Sequence, residues 1–257
     1  MRLSGGVALV TGASAGIGEA TAHRLAAAGA TVLVHGRDPE RTRAVAAAVD
    51  GTPLVVDLSA PDAAETLADR ALAAAGRIDV LVVSAGRGHS GLFTAMDPAL
   101  VEEILAVDLA AAVGLTRRVL PGMIERGSGH LCFVTSIAGR TGVAGEAVYA
   151  AAKAGLDAFA ESLRLELTGS GVSVSVVVPA VVDTGFFDRR GEPYRRRSPR
   201  PIPADRAAAA ILRAVSRERA EVYLPAWTRI APTVRALAPG PFRALSRRFG
   251  EPVRSRR

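Results

Sequence analysis

Seven short runs of apolar and β-branched residues punctuate the chain, at Val7–Val10, Thr31–His35, Leu54–Val56, Val80–Val83, His130–Thr135, Val172–Val178 and Glu221–Leu224. Runs this short and this continuously apolar predict strands buried on both faces, the habit of a parallel sheet. Between them lie Ala-, Leu-, Arg- and Glu-rich stretches such as Ile17–Ala28, Pro39–Val49, Asp62–Ala75 and Ala147–Leu167, long enough for crossover helices. The alternation predicts an α/β fold, a doubly wound parallel sheet of about seven strands in a single domain. That domain is expected to span residues 1–225, followed by a Pro- and Arg-rich extension at 226–257.

Two segments break the rhythm. Residues 184–203 hold Gly185, Gly191 and four prolines, which predicts a long loop or lid before a helix starting near Ala204. The segment from 225 onward has five more prolines among spaced apolar residues and arginines, so one long helix is excluded. No stretch approaches the roughly 20 apolar residues of a membrane span. The single cysteine, Cys132, sits inside an apolar run and is expected to be a buried strand residue; with no internal disulfide possible, a reducing, cytoplasmic setting is expected.

Composition adds two facts that the pattern does not. The formal charge of +7 is unevenly spread: residues 1–187 carry 14 Lys+Arg against 19 Asp+Glu, net −5, and residues 188–257 carry 18 Arg against 6 acids, net +12. Any argument about an anionic partner therefore concerns the end of the chain. The chain also has no Asn or Gln, and one lysine, Lys153, beside 31 arginines. A lysine retained in such a background points to chemistry.

Thr11-Gly12-x-x-x-Gly16-x-Gly18 follows the first strand and opens a helix. Glycines there let the backbone approach a pyrophosphate, whose charge the helix N-terminus meets; the alternative is a tight strand–helix turn and nothing more. The second strand ends in His35-Gly36-Arg37-Asp38. An acidic residue at its end would bind ribose hydroxyls and repel a 2′-phosphate. Gly36 and Arg37 instead offer room and a cation, so NADP(H) is expected over NAD(H). Read otherwise, Arg37 is a solvated loop residue, and Asp38, before Pro39, caps the next helix in either case.

Tyr149-x-x-x-Lys153 has the spacing that places a phenol and an ammonium on one helical face. A nearby cation favours phenolate, which predicts a lowered Tyr149 pKa. Ser136, thirteen residues earlier at a strand end, can donate to a carbonyl oxygen in the crevice at the strand ends, or can cap a helix.

Taken together, these residues resemble the short-chain dehydrogenase/reductase family: the glycine turn at 11–18, Asp57 after the third strand, Ser84-Ala-Gly86 after the fourth, Ser136, Tyr149-x-x-x-Lys153, and Pro179 with Thr184 after the sixth. The resemblance covers about residues 5–225 and implies a Rossmann-type sheet. It implies Tyr149 as general acid/base, Ser136 as orienter of the substrate oxygen, and Lys153 as the group that lowers the Tyr149 pKa and holds the nicotinamide ribose. It places the cofactor on Gly12, Ser14, Gly16, Ile17, Gly18, Arg37, Asp57, Leu58, Ser84, Ala85, Gly86, Tyr149, Lys153, Pro179, Val182 and Thr184. No metal is implied. Transfer of the 4-pro-S hydride and a homodimer or homotetramer built on the helices carrying Asp108 and Tyr149 are implied as well.

Two departures stand out. Ser84 replaces the family's usual asparagine, and Asp108 replaces the asparagine of its proton relay. The fourth member of the catalytic set is thus an aspartate, whose charge beside Lys153 could weaken that relay. Reversible NADP(H)-linked conversion of a secondary alcohol and a ketone is the expected activity. The alternative is a catalytically impaired dinucleotide sensor or scaffold.

The lid aromatics Phe186, Phe187 and Tyr194, with Arg87, His89, Val143 and Ala144, are expected to line a fairly apolar substrate cavity. Arg189, Arg190 and Arg195-Arg196-Arg197 are read as a solvated rim, the alternative being a handle for an anionic substrate. Farther on, Trp227, Ile230, Val234, Leu237, Phe242, Leu245 and Phe249 recur at rough helical spacing between arginines. Such a stripe is expected to pack on its own domain or across a dimer; a weak peripheral contact with anionic lipid is the alternative. Nucleic acid is not expected as a partner, since no reading module accompanies the basic cluster.

Overall fold

The structure is a computed structural model, which describes residues 3–192, 194 and 198–249. Its first half comprises β1 (Val7–Val10), α1 (Gly16–Ala27), β2 (Thr31–Gly36), α2 (Pro39–Ala48), β3 (Thr52–Val55), α3 (Ala63–Ala75) and β4 (Val80–Val83). Next, α4 (Pro98–Leu105), a five-residue π-helical turn at Ala106–Ala110 and α5 (Ala111–Glu125) run on as one helix. After β5 (Gly129–Val134), α6 (Ile137–Thr141), α7 (Ala147–Glu166) and β6 (Val172–Pro179) comes the irregular stretch holding β7 (Val182–Asp183), α8 (Phe186–Arg189) and β8 (Ile202–Pro203). The chain continues through α9 (Ala204–Ser216), β9 (Glu221–Leu224), α10 (Ile230–Leu237) and α11 (Pro239–Phe249).

Seven strands form one parallel sheet in the order β3-β2-β1-β4-β5-β6-β9. The order reverses between β1 and β4, which opens a crevice at the carboxyl ends of those strands. Side chains of successive strand residues leave the sheet on opposite faces. In β5, Leu131 and Phe133 enter one core with Leu67, Leu115 and Leu156 from α3, α5 and α7. Cys132 and Val134 enter the other, with Leu25 and Ile211 from α1 and α9. Burial pushes the Cys132 thiol up to about 12, so it is an inert core residue.

The third strand runs Thr52–Val55, not Leu54–Val56. Pro53 falls inside it, and β3 is the sheet edge, where a missing N–H is tolerated. The stretch at 184–203 is interrupted by α8 and by β8, which pairs in parallel with β7; Arg195, Arg196 and Arg197 lie outside the described residues.

The apolar stripe of the extension does not pack on its own domain, the first of the two arrangements expected; the second, packing across a dimer, leaves it uncovered in a single chain. Trp227, Ile230, Leu237 and Leu245 are between 52% and 82% exposed. The hold of α10 on the body includes Arg235, which donates to the Arg140 carbonyl (2.7 Å), so its apolar residues can face outward. Helical spacing reported that these residues share a face, and said nothing of which way the face points. Among the described residues no helix is long and apolar enough to cross a membrane.

Two buried histidines give the core a pH limit. His35 in β2 and His130 in β5 are essentially inaccessible, and burial lowers the pKa of each to about 4. Both are bound in the neutral form, so their stabilisation is complete above the unfolded value near 6.5 and is lost as pH falls toward 4. Each contributes on the order of 2–3 kcal/mol across that window. Urea unfolding at pH 7 and pH 4.5 is expected to show a loss of several kcal/mol. Equal stability at the two pH values would contradict neutral burial.

Candidate active site

The crevice begins where β1 ends. Thr11 is buried, and its Oγ1 accepts from the Ser84 and Ala85 amides (3.0 and 3.1 Å), tying the ends of β1 and β4 together. Gly12 follows with φ +66°, and a Cβ on it would lie 2.7 Å from the Ala85 Cα. A Cβ on Gly18 would lie 2.3 Å from the Gly12 carbonyl oxygen. Only glycine permits this close turn before α1. His35 fixes the turn from below: its Nδ1 accepts from the Gly12 amide (3.3 Å) and its Nε2–H donates to the Val56 carbonyl (3.0 Å). Sequence reasoning did not single out His35; a polar residue inside an otherwise apolar strand was the available signal.

The chemical end of the crevice is built by α6 and α7. Ser136 caps α6, its Oγ accepting from the Ala138 amide (3.2 Å), so the capping reading and the crevice-facing reading both hold. A Cβ on Gly139 would lie 2.7 Å from the Ala154 nitrogen, which shows how closely α6 and α7 approach. The Arg140 fork binds both oxygens of Asp157 (2.6 and 2.9 Å) and locks that approach. Tyr149 and Lys153 lie on the adjacent face of α7, with the Lys153 Nζ 5.7 Å from the Tyr149 ring centroid.

Asp108 is brought to this cluster by the π-helical turn. Asp108 is the middle residue of that turn and is buried, and such turns occur frequently at functional sites. Its Oδ1 accepts from the Arg87 amide (2.7 Å), and its Oδ2 lies 3.1 Å from the Lys153 Nζ, an ion-pair contact without hydrogen-bond alignment. Both side chains are almost wholly buried, at 0% and 4% exposure. Lys153 also donates to the Val134 carbonyl (3.4 Å). Burial raises the Asp108 pKa, opposed by Lys153 and the Arg87 amide.

The expected lowering of the Tyr149 pKa is not found. Protein crowding around the phenol raises it, the Asp108 charge raises it further, and the Ser136 hydroxyl pulls only partly the other way. The physical reason is first the burial of the phenol, which disfavours phenolate, and second the Asp108 carboxylate, which stands 3.1 Å from the lysine cation expected to favour it.

All these elements open onto one cavity of about 580 Å³, within the range of small-molecule sites. Every residue assigned to cofactor binding from the sequence lines it, from Gly12, Ser14, Gly16, Ile17 and Gly18 through Asp57, Leu58, Ser84, Ala85 and Gly86 to Pro179, Val182 and Thr184. Ser136, Tyr149 and Lys153 line it as well. Asp108 does not; it lies behind the wall and meets the cavity-lining residues Lys153 and Arg87. At the far end Asp38 caps α2, accepting from the Arg41 amide (3.0 Å). Arg37 lines the cavity and pairs with Glu103 (3.4 Å), and its side chain is more than half exposed, so it is at once a cavity-lining cation and a solvated residue.

The model of the short chain dehydrogenase family matches residues 6–195. The chain belongs to that family. It is 32% identical over 212 residues to the 3-oxoacyl-[acyl-carrier-protein] reductase FabG of Escherichia coli, covering 82% of this chain and 87% of that one. A solved short-chain dehydrogenase from Sphingobium yanoikuyae in complex with NADPH superposes with a TM-score of 0.82 at 28% identity, covering 98% of this chain and 99% of that one. A metagenomic short-chain oxidoreductase in complex with NADP gives a TM-score of 0.74 at 36% identity, over 87% and 98% of the two chains. The protein is therefore a short chain dehydrogenase with the seven-stranded sheet of its relatives.

The substrate side of the dehydrogenase is more apolar than polar. Arg87, Val143, Ala144, Phe186, Phe187 and Tyr194 line the cavity as expected, with Phe186 5.6 Å from Tyr149 between ring centroids. His89 does not line it. Its ring is turned over Gly91, where a Cβ would lie 2.8 Å from Nε2. Arg190 is not a solvated rim residue either: it is buried, pairs with Glu146, and lies 4.6 Å from the Phe187 centroid. Sequence alone could not pair Arg190 with a partner 44 positions away.

Proposed function

We propose that this short chain dehydrogenase transfers hydride reversibly between NADP(H) and the carbinol or carbonyl carbon of an apolar small molecule, interconverting a secondary alcohol and a ketone. The observation that carries this reading is the convergence of Ser136, Tyr149 and Lys153 on the same cavity as the glycine turn. The cradle fits a dinucleotide: Gly12 and Gly18 close the turn too tightly for any side chain, so that the N-terminus of α1, at Gly16, borders the cavity where a pyrophosphate would be met. The hydride is the chemistry that the bound nicotinamide supplies.

The rest is the work of the chain. Ser136 donates to the substrate oxygen and fixes its position. Tyr149 gives its phenolic proton to that oxygen in reduction and takes it back in oxidation. The raised Tyr149 pKa keeps the phenol protonated at neutral pH, which favours reduction there. Lys153 would hold the nicotinamide ribose, and Asp108 holds Lys153. Gly12, Ser14, Gly16, Ile17 and Gly18 would take the pyrophosphate, Asp57 and Leu58 the adenine, and Pro179, Val182 and Thr184 the carboxamide end. The preference for NADP(H) rests on Gly36, with no carboxylate at the ribose, and on Arg37 beside it.

The test is the nicotinamide absorbance of NADPH and NADH, followed in parallel with a panel of apolar ketones. Consumption is expected at least ten-fold faster with NADPH at equal subsaturating concentration, the value of one charge-assisted contact. Equal rates would contradict the cofactor assignment.

A further inference from the structure

The short helix α8 spans the two ends of the cavity. At the substrate end it is pinned three times. Phe186 meets Tyr149 and sits so close to Gly88 that a Cβ there would lie 2.5 Å from the Phe186 Cζ. Arg190, directly after α8, pairs with Glu146, and its carbonyl accepts from the Ser90 amide (3.2 Å). Arg189 points elsewhere. It lines the cavity, as do Arg37 in the β2–α2 connection and Arg41 in the first turn of α2 at the ribose end.

These three guanidiniums come from two separate parts of the chain. Arg37 pairs with Glu103 and Arg41 with Asp38, both at moderate distance (3.4 and 3.5 Å). Among the described residues Arg189 forms no ion pair, in contrast to Arg190 beside it. Burial, and after it the repulsion from Arg41 and Arg37, lowers the Arg189 pKa. Three guanidiniums lining one cavity make a wall suited to an anion with several acceptor oxygens.

We propose that Arg189 is a ligand of the adenosine 2′-phosphate, so that NADP(H) and not NAD(H) fixes α8 across the substrate end of the cavity. This rests on the NADP(H) reading above and extends it, because it makes the cofactor phosphate a positioning device for Phe186 and thus for the substrate beside Tyr149. A monodentate or bidentate contact of guanidinium with phosphate joins the two ends through four residues of helix. The ribose hydroxyl of NAD(H) offers no charge for Arg189 to meet.

The experiment compares wild-type enzyme with Arg189→Gln by calorimetric titration with NADPH and NADH, and by hydrogen exchange of the segment 184–191. Wild type is expected to bind NADPH more tightly than NADH and to slow exchange in that segment with NADPH only. Arg189→Gln is expected to weaken NADPH binding about ten-fold or more, leave NADH binding within two-fold, and abolish the NADPH-dependent slowing. If wild type prefers NADPH and the variant keeps that preference and that slowing, the role of Arg189 is overturned while the cofactor assignment stands. Equal weakening of both cofactors also overturns it, as a general effect on the fold. If wild type shows no preference, the cofactor assignment itself fails and the inference falls with it.

Discussion

Tyr149→Phe is expected to lose at least about 10³-fold in kcat for ketone reduction while its affinity for NADPH stays within two-fold of wild type. General acid catalysis by a positioned side chain is worth about 10²–10⁴-fold, and in this site no other group can substitute. The Ser136 hydroxyl is engaged in capping α6 and has no ordinary acidity. The Lys153 ammonium faces Asp108, and Asp108 itself lies behind the cavity wall. The phenylalanine ring would keep the contact with Phe186 and the packing of α7, so cofactor binding has no reason to change. Stopped-flow turnover and fluorescence titration of the same preparation separate the two effects. A variant with more than a tenth of wild-type kcat would mean that the proton comes from elsewhere.

Lys153→Met is expected to destabilise the protein by about 3–5 kcal/mol as well as to abolish turnover. The substitution leaves the Asp108 carboxylate buried with the Arg87 amide as its remaining partner, and removing one member of a buried ion pair has that order of effect. The stability loss alone would say nothing about catalysis. The double variant Lys153→Met/Asp108→Asn separates the roles, because a neutral amide can still accept from the Arg87 amide and leaves no charge stranded. Chemical denaturation of the double variant is expected to recover most of the lost stability, with turnover still reduced at least about 10²-fold. Recovery of turnover together with stability would reduce Lys153 to a structural residue.

The aspartate in this pair also shows where sequence reasoning stops. The alternation of apolar runs and helical stretches carries the sheet, because strands buried on both faces must be continuously apolar, and β1, β4 and β9 start and end where the pattern places them. The glycine turn, Ser136 and the Tyr149–Lys153 spacing were legible because each depends on local geometry. The reversal of the Tyr149 pKa shift was not, since it depends first on how deeply the folded chain buries the phenol and second on a carboxylate from another helix, neither of which a residue pattern around Tyr149 announces. His35 was missed for the same reason: its partner lies 23 positions away at Gly12. That the face of the extension turns away from its own domain was not legible, because spacing defines a face without saying what it meets.

Hydride transfer with Tyr149 as the proton donor is the centre of the account, and isotopic tracing reaches it most directly. Wild-type enzyme is incubated with NADPH deuterated at the 4-pro-S position and an accepted ketone, and the alcohol is analysed by mass spectrometry. One deuterium at the carbinol carbon, appearing at the rate of NADPH consumption, is the expected result. Tight NADPH binding without labelled product across a broad set of ketones would contradict the account and leave a protein that senses the dinucleotide without using it.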